Sequence, residues 1–337
     1  MKIFVTGGAG YIGGTVAELL NENGHQVVVF DNLSHSRREL LPRGAEFIEG
    51  ELADSTALER IFREAQDKNA PFDGVLHFAA LIEAGESMQR PEIYFRNNSA
   101  STLSLLEAVL KSGIPRFVFS STAAVYGEPE SVPIHEDARL APTNPYGQSK
   151  YLVEQMLAWF HRIHGLRYAS LRYFNVAGAP EGPGGFTRGE DHEPESHLIP
   201  LILDVALGRR KSIRIYGDDY STPDGTGIRD YIHVSDLADA HLLAFSALDS
   251  ERAKSGPLIY NLGNGQGFSV KQVIEAARRV TGHPIPAEVH PRRHGDPAVL
   301  VASSENAIRE LDWKPRYAQL DEIVRTAWAW HQKRYTI

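Results

Sequence analysis

The stretch Gly7-Gly8-Ala9-Gly10-Tyr11-Ile12-Gly13 constrains this chain more than any other. It stands between a short apolar run, Lys2–Thr6, and a segment of helical spacing, Gly13–Asn23, with Val16, Ala17, Leu19 and Leu20 on one side. A strand that turns through glycines into a helix offers backbone N–H groups at the helix N-terminus, where the dipole favours a pyrophosphate. The spacing is G-x-x-G-x-x-G, whereas the commoner fingerprint is G-x-G-x-x-G, and a glycine-rich turn is often only a turn. Placement strengthens the reading. The next apolar run, Gln26–Asp31, ends on Asp31, 18 residues past Gly13. A carboxylate there accepts from both hydroxyls of a ribose and repels a 2′-phosphate, which favours NAD over NADP.

The alternation continues. Glu46–Glu49, Gly74–Ala80, Phe117–Ser121 and Tyr168–Tyr173 read as strands; Ser55–Gln66, Glu92–Ser112 and Tyr146–His164 read as helices. Near-continuous apolar strands between helices predict an α/β fold with a doubly wound parallel sheet of Rossmann type. After Asn175 the composition shifts to a glycine- and proline-rich stretch, 179–189, and a charged loop, Glu190–His197. A helix over Pro200–Leu207, a strand over Ser212–Tyr216 and a polar loop over Gly217–Arg229 follow. This predicts a dinucleotide-binding domain over 1–175 and a smaller C-terminal α/β substrate lobe over 176–337. Segments around 230–262, with a helix at Ser235–Ser246 and a strand at Ile259–Leu262, return to the main sheet.

Composition narrows the function classes. With 42% hydrophobic and 23% charged residues the chain is neither disordered nor a coiled coil. A net charge of −8 argues against non-specific nucleic-acid binding. No cysteine is present, which excludes disulfides, a thiol nucleophile and cysteine-ligated metals. Only Ile3-Phe4-Val5 follow Met1-Lys2 before Thr6, and no run approaches a membrane span, so a cytoplasmic protein is expected. The 14 histidines are scattered: His161 and His164 lie on a helix without a nearby carboxylate, and His290 and His294 flank arginines, so no metal is expected.

Tyr146 and Lys150 are one helical turn apart and share a helix face. An ammonium about 4 Å from a phenolate, at an effective dielectric near 20, contributes about 4 kcal/mol, or roughly 3 pKa units. The pair therefore predicts a phenol drawn down toward neutrality, able to take a proton from a sugar hydroxyl. Ser120-Ser121-Thr122 close the preceding strand at the carboxyl edge, where ligands bind. Thr122 there could bridge a substrate hydroxyl and Tyr146, or cap the next turn.

These motifs, with His77-Phe78-Ala79-Ala80, Asp31-Asn32 and Arg172-Tyr173-Phe174-Asn175, resemble the extended short-chain dehydrogenase/reductase superfamily. The stretch Asp224–Val234 resembles the signature of the UDP-glucose 4-epimerase family, as do Tyr260–Gly263 and Pro291–Asp296. The resemblance implies NAD held through the cycle and interconversion of UDP-glucose and UDP-galactose through a transient 4-keto sugar. Tyr146 would be the acid/base, assisted by Thr122, with Lys150 on the nicotinamide ribose. It implies cofactor contacts from Gly7, Gly10, Tyr11, Ile12, Gly13, Asp31, Asn32, Glu51, Leu52, Phe78, Ala79, Ala80, Asn97, Ser120, Tyr146, Lys150 and Tyr173. It also implies substrate contacts from Thr122, Tyr146, Asn175, His197, Leu198, Tyr216, Arg229, Arg293, Asp296 and Leu300. Arg229 and Arg293 would grip the diphosphate, and Asp296 the uridine ribose.

There are departures from the family pattern. Ile82 and Val176 stand where some members carry Lys and Pro, and His197 where some carry Asn. Leu300, at the sugar-pocket gate, lies in size between the Tyr of strict UDP-glucose enzymes and the small residue of those that also take N-acetyl sugars. The competing readings are an epimerase for UDP-N-acetylglucosamine, UDP-pentose or UDP-glucuronate, a nucleotide-sugar dehydratase or decarboxylase, and a non-catalytic NAD sensor. Thr122 is followed by Ala123-Ala124, whereas the dehydratases carry an Asp-Glu pair there, and both Tyr146 and Lys150 are present. The family also implies a homodimer joined through a four-helix bundle of Glu92–Ser112 and Tyr146–His164, with no nucleic-acid or membrane partner.

Overall fold

The computed structural model describes residues 1–182, 185–186, 188–293 and 295–335. His294 and part of the 179–189 stretch lie outside them. The chain forms two compact units. The first holds Met1–Gly127, Arg139–Arg172 and Ala238–Tyr260; the second holds Glu128–Ala138, Tyr173–Leu237 and Asn261–Ile337. Among the described residues no helix is long and apolar enough to cross a membrane.

A seven-stranded sheet organises the first unit. Its strands are β1 (Lys2–Thr6), β2 (Gln26–Asp31), β3 (Glu46–Glu49), β4 (Gly74–His77), β5 (Arg116–Ser120), β6 (Arg167–Tyr173) and an edge strand, Leu258–Leu262. They run in the order β3-β2-β1-β4-β5-β6, with Leu258–Leu262 beside β6. β1 to β6 pair in parallel. Parallel strands are covered by helices on both faces, so their side chains are apolar on both sides, as Ile3-Phe4-Val5 and Val27–Phe30 are. The helices α1 (Tyr11–Glu22) and α2 (Ser55–Asp67), with Ser101–Lys111 and Pro145–His164, supply the cover. Phe4 sits at the centre of one core, edge-on to Phe62 at 5.0 Å and Phe72 at 5.3 Å. Truncating such a ring to alanine costs about 3–5 kcal/mol, because the cavity adds to the lost transfer energy. Strand order reverses between β1 and β4, and in such sheets the ligand crevice lies at the carboxyl ends there.

Three elements differ from expectation. The strand predicted over Gly74–Ala80 stops at His77. Beyond it the backbone of Ala79 passes directly beneath Gly7, leaving the ladder to do so. The helix predicted over Glu92–Ser112 is three pieces, Pro91–Tyr94, a π-helical turn Phe95–Ala100, and Ser101–Lys111. The stretch predicted as loop to Arg229 enters a strand already at Ile228.

In the second unit Ile228–His233 is the hub of a small sheet. It pairs in parallel with Asn175–Ala177 and Val299–Leu300 and antiparallel with Gly267–Ser269. The register sets Arg229 opposite Leu300 and Tyr231 opposite Asn175. Ile213–Tyr216 pairs with Ala287–His290 in a second ribbon. The core behind these strands is built from helices Leu198–Ala206, Val270–Thr281 and Leu320–Tyr335. The segment Glu128–Ala138 joins this unit through an Ile134–Ala302 bridge and the Glu136 carboxylate, which accepts from the Asn261 N–H at 2.9 Å.

Candidate active site

The glycine loop is a close-packed cradle. Gly7 has φ +70°, and a Cβ there would lie 2.5 Å from the Ala79 nitrogen. A Cβ on Gly13 would lie 2.4 Å from the Gly7 carbonyl oxygen, so only glycine lets α1 start this near β1. Gly10 caps α1 with no side chain over the helix end, and no acid stands in the first turn, which contains Tyr11 and Ile12. That end suits a diphosphate. Asp31 closes β2, and its carboxylate accepts from Ala9 N at 3.1 Å, Leu33 N at 2.8 Å and Ser36 Oγ at 3.1 Å. Asn32 donates to the Glu51 carboxylate at 3.1 Å. Leu52 packs against the sheet core. Phe78 lies 4.9 Å from the His241 ring, and Ala79 and Ala80 continue along the loop under Gly7. These residues fit a dinucleotide: a side-chain-free helix start, a cradle that any Cβ would fill, and an acid at the end of β2.

Tyr146 is fixed by both of its neighbours. Asn144 caps the helix by accepting from Gly147 N at 2.8 Å, and Pro145 fills its first position. A Cβ on Gly147 would lie 2.5 Å from the Ala124 carbonyl oxygen, so the first turn sits directly on the turn after β5. Thr122, two residues past β5, caps that turn, accepting from Ala124 N at 3.1 Å, and its hydroxyl acts to lower the Tyr146 phenol. Thr122 thus caps the next turn, one of its two sequence readings.

The electrostatics correct one expectation. Burial pushes the Tyr146 phenol above its ordinary value, and the Thr122 hydrogen bond opposes this. Lys150 is not among the groups that act on Tyr146. Its own ammonium is pushed down to about 7 by burial, and Nζ donates to the Ser120 carbonyl at 2.9 Å. The cost of burying the phenol outweighs the attraction that an ammonium offers at a surface-like dielectric.

Several supporting residues were not singled out from the sequence. Asn98, in the π-helical turn, is buried. It accepts from Leu81 N at 2.8 Å and donates to Leu81 O at 2.9 Å and Ser149 Oγ at 3.0 Å. Ser149 Oγ donates to Tyr146 O at 2.7 Å, and Ser99 Oγ donates to Ser149 O at 3.0 Å. Asn98 thus ties the loop after β4 to the helix of Tyr146, while Asn97, the expected contact, bonds only its neighbour Asn98 among the bonds described. Glu154, two turns beyond Tyr146, accepts from Ser121 Oγ at 2.5 Å and pairs with Arg172 at 2.6 Å, both ions buried. Arg172 also reaches the Tyr126 hydroxyl at 3.0 Å. A lone asparagine or a glutamate mid-helix carries no periodic signal, and only its partners, 17 to 51 residues away, reveal its work.

In the second unit, Arg229 donates to Ile228 O at 2.8 Å and is paired with Asp296. Asp296, expected to serve a ribose, here neutralises the arginine expected to serve a phosphate. The Arg293 guanidinium lies over the Tyr216 ring at 4.1 Å. Arg292 covers the Tyr220 ring at 4.2 Å and pairs with Asp219 at 2.6 Å. Arg214 and Arg293 draw the Tyr216 hydroxyl below its ordinary value. Tyr220 is buried, with its hydroxyl unpartnered among the described residues. Asn175 and Leu300 flank Ile228–His233 on separate neighbouring strands, Val176 pairs with Ile232, and Tyr173 ends β6. His197 caps helix Leu198–Ala206, and Leu198 opens it. Ile82 lies in the loop after β4. The histidines are less scattered than the sequence implied, since Glu190, His192, Glu195 and His197 converge.

The sequence matches the model of the NAD dependent epimerase/dehydratase family over residues 3–263. It is 54% identical to the UDP-glucose 4-epimerase of Streptomyces lividans over 330 residues, covering 98% of this chain and 96% of that protein. A crystal structure of a UDP-glucose 4-epimerase superposes with TM-score 0.93 at 48% identity, covering 99% of this chain and 98% of that one. The Bifidobacterium longum UDP-glucose 4-epimerase, solved with NAD+ and UDP, superposes with TM-score 0.91 at 38% identity, covering 100% and 99%.

Proposed function

Since the chain belongs to the NAD dependent epimerase/dehydratase family, we propose that it is an isomerase, an NAD-dependent 4-epimerase that interconverts UDP-glucose and UDP-galactose through a transient 4-keto sugar. The observation that carries this is Tyr146 in a first helical turn seated on the turn that Thr122 caps, with Lys150 one turn further along the same helix. Bound NAD supplies a reversible two-electron acceptor for C4 of the sugar. Gly7, Gly10, Tyr11, Ile12, Gly13 and Asp31 would hold its diphosphate and ribose, with Asn32, Glu51, Leu52, Phe78, Ala79, Ala80, Asn97, Ser120 and Tyr173 around it.

Tyr146 Oη takes the proton of the C4 hydroxyl as the keto form appears and returns it when the opposite face is reduced. Burial keeps the resting phenol protonated, which suits the return step. The outward step needs the phenolate, which the Thr122 hydroxyl favours, while Lys150 would hold the nicotinamide ribose. Arg229 and Arg293 would hold the diphosphate, Asp296 and Tyr216 the nucleoside, and Asn175, His197, Leu198 and Leu300 the sugar side. Ala123 and Ala124 cannot exchange protons, which disfavours elimination of water from the keto sugar. We also propose a cytoplasmic homodimer. Leu103 and Leu110, and Trp159 and Ile163, present large apolar side chains to solvent on the two helices expected to pair.

The test is to incubate purified protein, with no added NAD, separately with UDP-galactose, UDP-N-acetylgalactosamine, UDP-glucuronate and UDP-arabinose. Conversion of UDP-galactose to UDP-glucose is the expected result. Stoichiometric NADH release or a 4-keto-6-deoxy product would place the chain in another reaction class. Conversion of the N-acetylated sugar at a comparable rate would make Leu300 a permissive gate.

A further inference from the structure

We propose that Glu190, His192, Glu195 and His197 form a structural binding site for one divalent zinc ion. One donor atom from each lies within 4.8 Å of the other three. His192 Nδ1 is 3.6 Å from Glu190 Oε1 and 3.6 Å from Glu195 Oε2. His197 Nδ1 is 2.9 Å from Glu190 Oε1 and 3.3 Å from Glu195 Oε1. Two donors bound tetrahedrally to zinc at about 2.0–2.1 Å stand about 3.3 Å apart, the separation these atoms cluster around. The donor set suits the ion: two imidazoles and two carboxylates are borderline-to-hard ligands of the kind zinc accepts.

Hydrogen bonding does not explain the arrangement. Both Nδ1 atoms are buried, and neither makes a hydrogen bond of usable angle, although carboxylate oxygens stand within ion-pair distance of each. A ring nitrogen aimed into a ring of acceptors without an N–H···O line is what a ligand to a shared cation looks like. Two carboxylates held this close also need positive charge between them. Burial lowers the pKa of both imidazoles, and the carboxylates outweigh it, so protons are the competing cation.

The shell is held from outside. Ser196 N and His197 N each donate to Glu195 Oε1 at 2.8 Å. Asp191 accepts from Arg334 at 2.9 Å and from the Tyr335 hydroxyl at 2.6 Å, tying the loop to the helix Leu320–Tyr335. Gly189 lies so close to the Trp330 ring that a Cβ would overlap it. Four protein donors leave no open position, so the ion would be structural, fixing the loop before helix Leu198–Ala206.

The experiment strips the full-length protein with chelator and titrates it with zinc chloride by calorimetry at pH 7.5, with metal content measured after gel filtration. One zinc per chain, with a melting temperature raised by several degrees, is expected. His192→Ala should weaken zinc binding about 100-fold or more and Glu195→Gln at least about tenfold, since loss of even an outer partner costs 10–100-fold. Both variants in chelator should melt within a few degrees of the stripped wild type, which separates lost binding from lost folding. Absence of stoichiometric uptake by the wild type, or equal uptake by both variants, overturns the proposal. So does a stripped protein that ignores zinc yet melts higher at pH 6 than at pH 7.5, because protons would then be the counter-ion. None of these readouts depends on epimerase activity.

Discussion

Tyr146 owes its place to small neighbours: Asn144 caps its helix, Gly147 lets the first turn touch Ala124, and Thr122 meets its hydroxyl. Removing only that hydroxyl tests the chemistry without disturbing the packing. Tyr146→Phe should lower turnover of UDP-galactose by about 10²–10⁴-fold, the range of a positioned acid–base group. Its melting temperature should stay within a few degrees of wild type. A fall of less than tenfold would remove Tyr146 from the proton transfer. The glycines make a second test. Gly13→Ala places a methyl 2.4 Å from the Gly7 carbonyl oxygen, against backbone that cannot swing aside. The purified variant should carry less than a tenth of the wild-type content of bound nicotinamide nucleotide, measured by chromatography after denaturation. Full retention would mean the cradle tolerates widening.

At the scale of elements, the π-helical turn Phe95–Ala100 stands out because π-turns are rare and gather at functional sites. Its Asn98 side chain holds the loop after β4 and the helix of Tyr146 in one frame. The hydroxyl of Thr102 donates to Asn98 O at 2.6 Å, so it accepts from His77 Nε2 at 2.7 Å, and His77 Nδ1 in turn faces Thr6 Oγ1 at 2.6 Å. Asn98→Ala leaves the half-buried Leu81 amide and carbonyl unpaired. About 3 kcal/mol of stability should be lost, from one or two unsatisfied groups at 1–3 kcal/mol each. Urea denaturation measures this; a change under about 1 kcal/mol would mean that water replaces the side chain.

For the whole molecule, acid sensitivity follows from buried histidines. Burial holds His77 at about 3 and His233 at about 3. His233 is satisfied only as the neutral ring. His233 Nδ1 accepts from Ser235 N at 3.1 Å, and its Nε2 faces Thr326 Oγ1 at 3.0 Å, whose own proton goes to Ile323 O. Because these folded pKa values lie below the unfolded one, their stabilisation is complete above pH 6.5 and falls away as pH drops toward 3. From pH 6.5 to 5 the two together cost about 4 kcal/mol, at 1.36 kcal/mol per unit each. Asp230 acts oppositely. Burial raises its carboxyl to about 6 against three backbone N–H bonds, so protonation on acidification favours the fold. From pH 6 to 5 this returns about 1 kcal/mol. His77, His233 and Asp230 together contribute a net loss of about 2–3 kcal/mol between pH 7 and 5, opposed in part by protonation of His192 and His197, so a lower urea midpoint at pH 5 than at pH 7 is expected, and a rising midpoint would contradict it. Assembly gives another whole-molecule test. Trp159→Glu with Ile163→Glu should halve the mass seen by light scattering, and an unchanged mass would place the dimer contact elsewhere.

The sequence by itself determined the fold class with its parallel sheet, NAD as cofactor and the Tyr146–Lys150 helix. These rest on local signals: apolar runs, glycine spacing, an acid at a strand end, a tyrosine and a lysine one helical turn apart. Tertiary structure decided what depends on partners far along the chain. It set the break at Phe95–Ala100, the Asn98 clamp, the Glu154–Arg172 pair and the Arg229–Asp296 pair. It also reversed the direction in which the Tyr146 phenol is shifted. Charge and hydrogen-bond energies depend on burial, and burial is a property of the packed chain that spacing along the sequence does not contain.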